Sequence, residues 1–283
     1  MSGPTPSMPI LAPAKLNLCL YLGPRREDGL HRLCSLFEPL ALADLIEVRE
    51  SGQDEVVCPG VAGENLAARA LAGLRELGWA SPPLRVEIEK RIPVAAGLGG
   101  GSADAAAVLR LAAGEIGDLA ELAAGLGADV PSQLVPALAL VGGVGEKVER
   151  LPTPAPHAVV LLPDGGGLST ADVFAEADRL GLGRSDAELE EIADRLRAAA
   201  GAGASPLSYA DLLGNDLEPA ARSLRPRIAA TLDALRAVGA PLVLLTGSGP
   251  TAFGLFESLG AARDAADRLG RDDAIVCEAG RAP

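Results

Sequence analysis

Residues 92–111 read I-P-V-A-A-G-L-G-G-G-S-A-D-A-A-A-V-L-R-L, and no other stretch limits the fold so sharply. The residues before it, 84–90, are L-R-V-E-I-E-K, an apolar–polar alternation that predicts a half-buried strand. Residues 103–113 are rich in Ala and Leu and hold no Gly or Pro, which predicts a helix. Between them lie Gly97, Gly99, Gly100 and Gly101, with Ser102 where the helix should start. Glycines let a ligand come close to the main chain. The free N–H groups and the dipole at a helix start favour an anion, so the unit suits a phosphate. Ser102 could cap the helix or offer its hydroxyl to a phosphate or a phosphate-bound metal ion. The loop is not a Walker A sequence, because no Gly-Lys-Ser/Thr closes it, and it lacks the dinucleotide fingerprint. Taken alone, a tight turn before a packed helix explains it about as well as a phosphate site.

The partner classes are bounded by charge. Lys and Arg total 25 against 38 for Asp and Glu, a net charge of −13, which argues against nucleic acid or an anionic membrane. Aromatic residues make up only 2%, so the core must be built from Ala, Leu and Val. Cys19, Cys34, Cys58 and Cys277 form no C-x-x-C pair and read as reduced thiols of a cytoplasmic protein. Residues 1–9 read as a loose tail without the basic and apolar runs of a signal peptide. Residues 237–256 carry no charge, but Pro241, Gly247, Gly249 and Pro250 break them into strand and turn rather than a spanning helix.

The rest of the chain alternates strands and helices. Residues 11–22, L-A-P-A-K-L-N-L-C-L-Y-L, predict a strand with Lys15 and Asn17 on one face and Leu16, Leu18, Leu20 and Leu22 on the other. Residues 25–31 form a polar turn hinged at Gly29, with His31 in the loop. Residues 36–50 read as a strand, and Asn65 as the N-cap of an Ala-rich helix. A second helix is expected over 118–126, ended by Gly127, with Pro131 keeping the next segment out of helix. Asp129 is thereby fixed in a rigid turn, where most aspartates bond the local backbone. Residues 141–147 make a Gly-rich turn, and the three prolines of 151–156 mark a boundary. A strand over 158–162, a helix from Ala171 bearing Phe174 on its first turn, a charged spacer over 181–206 and a closing helix over 261–269 complete the order. Residues 242–256 read as strand, glycine turn, strand, and a plain hairpin would account for Gly247, Ser248 and Gly249.

Several of these stretches together resemble one family. P-V-A-A-G-L-G-G-G-S-A is similar to the second motif of the GHMP kinases, P-A-K-L-N-L to the first, and T-G-S-G-P-T-A-F to the third. D-G-L-H, S-T-A-D-V-F, G-A-D-V-P and N-D-L-E resemble stretches of the branch whose substrate is a cytidine diphosphate derivative of a methylerythritol. The resemblance spans nearly the whole chain. It implies an α+β fold in two lobes: residues 1–153 as a ribosomal protein S5 domain 2-like lobe and residues 154–283 as a ferredoxin-like lobe. It implies transfer of the ATP γ-phosphoryl group, with Mg²⁺, to the 2-hydroxyl of that small-molecule substrate, in non-mevalonate isoprenoid biosynthesis. Lys15 and Asp129 are then catalytic, Asp129 as general base. Val94, Ala95, Ala96, Gly97, Leu98, Gly99, Gly100, Gly101, Ser102, Ala103 and Asp104 are placed against the nucleotide, with Asn65 near its base. Asn17, Leu30, His31, Thr170, Phe174, Gly247 and Ser248 are placed against the substrate. Leu30 stands where that branch has a tyrosine, which removes one stacking face, and Ser132-Gln133 depart from its aromatic or aliphatic pair at the pocket wall. No metal ligands and no oligomeric state are implied. Three other readings are a kinase for another alcohol, such as homoserine or mevalonate, a catalytically silent nucleotide-binding protein, and a structural module that shares only the lobe architecture and would not need all three motifs. D-G-x-H and S-T-x-x-V-F oppose the first; Lys15, Asp129 and the intact glycine loop oppose the second.

Overall fold

The computed structural model describes residues 9–61, 63–117 and 119–283. Of the expected tail, residues 1–8 lie outside the described residues, as does Asp118, the expected start of the second helix.

The N-terminal half opens with two long antiparallel strands, β1 (Ile10–Arg25) and β2 (His31–Glu50). They are followed by β3 (Glu55–Val57), α1 (Leu66–Glu76), β4 (Leu84–Glu89) and α2 (Gly100–Leu109). Then come α3 (Ala120–Leu126), the one-turn α4 (Val130–Gln133) and a hairpin of β5 (Ala139–Gly142) and β6 (Lys147–Arg150). β2 pairs with β1, β4 and β5, and so forms the spine of this half. The C-terminal half holds β7 (His157–Leu162), α5 (Thr170–Leu180), α6 (Asp186–Ala200), α7 (Glu218–Leu224) and α8 (Arg227–Ala237). It ends with β8 (Leu242–Leu245), β9 (Ala252–Phe256), α9 (Leu259–Leu269) and β10 (Ile275–Ala279). Its sheet runs β10-β7-β9-β8, all antiparallel. Taken in chain order that is fourth, first, third, second, with helices in both crossovers, a ferredoxin-like arrangement. Residues 151–156 join β6 to β7 without helix or strand. Among the described residues, no helix is long and apolar enough to cross a membrane, and the four cysteines are free.

Packing follows from the composition. Ala67 and Ala70 on α1 and Ala103, Ala106 and Ala107 on α2 are fully buried together, small side chains that let two helices lie close. A second core fills the C-terminal sheet and α5, α7, α8 and α9. A third is shared, joining Leu16, Leu18 and Leu36 to Val159, Phe253 and Leu255. The two sheets touch through one pairing, Leu40 with Ala279. Beside it the His157 ring meets the Glu38 carboxylate at 3.1 Å, with both side chains fully buried.

Several expectations need correction. His31 begins β2 rather than lying in a loop. The leucine stripe of β1 is broken by a bulge between Asn17 and Cys19, so Leu16 and Leu18 enter the shared core while Leu20 and Leu22 enter the C-terminal one. α2 starts within the glycines, capped by the Gly99 backbone in a left-handed conformation (φ 69°), and Ser102 makes no cap bond. Pro131 sits inside α4, where a first-turn proline gives up no intrahelical bond. α8 and β10 had no expected counterpart.

Candidate active site

The glycine loop is braced from two sides. The Lys15 N–H on β1 donates to the Leu98 carbonyl at 3.0 Å. From the C-terminal half the 246–251 turn closes on it: a Cβ on Gly97 (φ 77°) would meet the Gly249 carbonyl oxygen at 2.8 Å. Only glycine fits there, for conformation and for space. Motifs far apart in sequence are thus held in backbone contact.

Along this loop lies a cavity of about 350 Å³. Its wall includes Asn65 and each loop residue from Val94 to Ser102, together with Asp104. Ala103 is on neither cavity wall, because it turns into the core and is fully buried. Asn65 acts as expected at the local level, its Oδ1 accepting the Ala67 N–H at 2.8 Å. Under the loop lies a cluster that sequence reasoning missed. Lys90 pairs with Asp104 at 2.8 Å and with the fully buried Asp44, which also accepts the backbone N–H groups of Arg91 (2.6 Å) and Ile92 (2.8 Å). Burial pushes the Asp104 carboxyl up to about 7, with Lys90 pulling the other way. Burial acts to lower the Lys90 ammonium, and the two carboxylates more than reverse that. The available signal was an aspartate inside the apolar run A-L-A-D-L-I.

A larger cavity of about 630 Å³ shares Gly97 and Gly99 with the first. At one end Lys15 is buried, its Nζ 3.3 Å from an Asp129 carboxylate oxygen and 2.5 Å from Asn17 Oδ1. The Phe37 ring lies 4.9 Å from the same ammonium. Asn17 is held on three sides: its N–H donates to Thr246 Oγ1 (3.0 Å), its Nδ2 to Ser35 Oγ (3.0 Å), and its Oδ1 accepts from Lys15. Bulges on both sides of this pair, between Pro13 and Lys15 and between Asn17 and Cys19, aim it off the regular strand. Asp129 occupies the N-cap of α4 yet makes no side-chain cap bond, so its carboxylate is left to Lys15 and the cavity. Ser132 and Gln133 do not form the wall: both are buried, and Ser132 Oγ donates to the Asp129 carbonyl at 2.7 Å.

The other end is built by β2, α5 and the 246–251 turn. Leu30, His31, Thr170, Phe174, Gly247 and Ser248 all line it. Thr170 and Ser248 share a hydroxyl–hydroxyl bond of 2.9 Å. The His31 and Phe174 rings are 5.6 Å apart at 43°. Leu30 is 54% exposed and open to this end. Asn215, from the N-D-L-E stretch, donates to the Leu245 and Gly247 carbonyls, both at 2.8 Å, and so fixes the turn. Arg25 and Asp178 also line this end and were passed over. The available signal for Asp178 was its place four residues after Phe174, on the same helix face.

Against known proteins, residues 65–138 match the model of the GHMP kinases N terminal domain and residues 204–274 that of the GHMP kinases C terminal. The 4-diphosphocytidyl-2-C-methyl-D-erythritol kinase of Mycolicibacterium gilvum (strain PYR-GCK) is 42% identical over 279 residues, 92% of this chain and 85% of that one. The enzyme of the same name from Thermobifida fusca (strain YX) is 42% identical over 292 residues, 95% and 93% of the two chains. A crystal structure of 4-(cytidine 5'-diphospho)-2C-methyl-D-erythritol kinase superposes with a TM-score of 0.80 at 37% identity, covering 97% of this chain and 100% of that one.

Proposed function

The chain belongs to the GHMP kinase family, and from that premise we infer that it phosphorylates the 2-hydroxyl of 4-diphosphocytidyl-2-C-methyl-D-erythritol with ATP, giving the 2-phosphate and ADP in the non-mevalonate route to isopentenyl diphosphate. The observation that carries this reading is one cavity with the Lys15–Asp129 pair at one end and the His31–Phe174 corner at the other, sharing Gly97 and Gly99 with a cavity along the glycine loop. A substrate with an alcohol at one end and a base at the other fits such a cleft.

Phosphoryl transfer depends on positioning and charge neutralisation more than on covalent catalysis. In our account the glycine loop and the start of α2 hold the β- and γ-phosphates. Asp129 takes the hydroxyl proton as that oxygen bonds to the γ-phosphorus and the bridge to the β-phosphate breaks, releasing ADP. Lys15 balances the Asp129 charge and then the charge spreading over the transferring group. Asn17 holds Lys15 in place. Residues 1–153 form the nucleotide-binding lobe and 154–283 the lobe that completes the substrate site.

Mg²⁺ fits the residues present. The Ser102 hydroxyl and the Asp104 carboxylate line the loop cavity, and Asp104 Oδ1 is buried without a hydrogen-bond partner. Mg²⁺ keeps several waters and binds largely through substrate phosphates, so one or two protein oxygens suffice. Ser102 and Asp104 would hold it, and when bound it neutralises phosphate charge. A cytoplasmic setting, where ATP is at hand and thiols stay reduced, goes with this chemistry.

The test is ADP release from ATP and Mg²⁺ with the cytidyl compound, homoserine or mevalonate as acceptor. Turnover with the cytidyl compound alone is expected. Turnover with another alcohol alone would discard the cytidyl assignment, and ATP binding without any turnover would discard the kinase.

A further inference from the structure

The base end of the larger cavity contains a carboxylate that phosphoryl transfer does not use. Asp178 lies one turn after Phe174 on α5, so carboxylate and ring present to the same space. Its side chain is 36% exposed. Its Oδ1 is 3.0 Å from His31 Nε2, and its Oδ2 is 3.7 Å from Arg25 Nη1, beyond hydrogen-bond reach.

His31 is oriented from its other side. Nδ1 lies 3.1 Å from the Gly23 carbonyl oxygen, which can only accept, so Nδ1 carries the hydrogen. In the neutral ring Nε2 is then an acceptor. It is buried, and it has no aligned hydrogen-bond partner among the described residues. With the ring neutral, the carboxylate meets an acceptor rather than a donor at the edge of the Phe174 ring, and a ligand donor placed there would satisfy it. Thr170 and Ser248 bond each other, which takes up one of their two hydroxyl hydrogens.

We propose that Asp178 selects cytosine: with the base stacked on Phe174, the carboxylate accepts a hydrogen bond from the exocyclic amine. Uracil carries a carbonyl at that position and would set a third acceptor against the carboxylate, a rejection built into the site. Leu30 offers no aromatic face, so hydrogen bonding bears more of the discrimination here. The inference rests on the cytidyl reading above but concerns base recognition rather than phosphoryl transfer.

Calorimetric binding of cytidine diphosphate and uridine diphosphate to wild type, D178N and D178A tests it without turnover. Wild type should prefer the cytidine compound by roughly 10- to 100-fold, the range of one hydrogen bond to a charged group. D178N, whose amide can donate to the uracil carbonyl, should move that ratio toward uridine by about tenfold or more. D178A should weaken the cytidine compound and, with the repelling carboxylate gone, tighten the uridine compound. A wild type without preference, or variants that keep its ratio while losing both ligands equally, would overturn the proposal and leave Asp178 a support for His31. An expected shift in ratio from a protein that fails to phosphorylate the cytidyl acceptor would uphold this inference and sink the kinase assignment alone.

Discussion

The Lys15 ammonium stands 3.3 Å from the Asp129 carboxylate, although Lys15 lies in the first strand and Asp129 heads the one-turn helix α4. An aspartate at such a turn ordinarily bonds the local backbone. Here the cap bond is absent, and the carboxylate is turned toward a buried lysine flanked by two bulges. Both groups face the cavity that also holds the His31–Phe174 corner.

Gly97→Ala would force a side chain onto a left-handed residue and against the Gly249 carbonyl at 2.8 Å. The conformation costs about 1–2 kcal/mol and the overpacking about 1–3 kcal/mol. We expect a lowered melting temperature and weaker ATP binding. Unchanged values of both would mean that the loop and the 246–251 turn are not locked together.

Asn215→Ala removes two donors to the Leu245 and Gly247 carbonyls. The loss should be about 2–3 kcal/mol of stability, with a raised KM for the cytidyl substrate, because Gly247 and Ser248 line its cavity. Denaturant unfolding with steady-state kinetics checks both. A variant as stable as wild type would show that the turn holds itself.

How much of this was legible follows from the kind of signal each residue leaves. The glycine loop, Lys15, Asn17, Phe174 and the 246–251 turn lie in local patterns, and the structure brings them to adjoining cavities. The Asn65 cap is likewise local. Bulges are not: the split of Leu16 and Leu18 from Leu20 and Leu22 depends on the register with β2. Nor are long-range charges: Asp44, Lys90 and Asp104 come from a strand, a strand end and a helix. The inward turn of Ala103 follows from helix phase set by packing, which the motif does not reveal. Ser132 and Gln133 read as wall residues by position alone, and lie behind it.

Stability should carry the titration of His157. Burial works to lower this imidazole, and the Glu38 carboxylate and the Ala155 carbonyl outweigh it, so the ring stays protonated above its ordinary value. A raised folded-state value adds stability that is complete below about pH 6.5 and is lost as pH rises through the higher folded value. Melting temperatures of wild type and His157→Gln should therefore differ most on the acidic side and converge on the alkaline side. A gap independent of pH would mean that the buried ring does not titrate.

Leu30→Tyr would restore a stacking face at the exposed edge of the base end. An aromatic contact is worth about 0.5–1.5 kcal/mol, so KM for the cytidyl substrate should fall by up to about tenfold, with kcat little changed. An unchanged or higher KM would show that the base does not stack on this side.

The most direct measurement pairs wild type with Asp129→Asn, following the product by ³¹P NMR and ADP release and ATP affinity by titration. Wild type should give a new phosphomonoester at the 2-hydroxyl of the cytidyl substrate together with one ADP for each product formed. Asp129→Asn should lower kcat by about 10²–10⁴ while ATP affinity stays within about threefold, since Asp129 lines the acceptor cavity and not the loop cavity. Near-normal turnover in the variant, or phosphate appearing at another position, would contradict the assignment of this cleft.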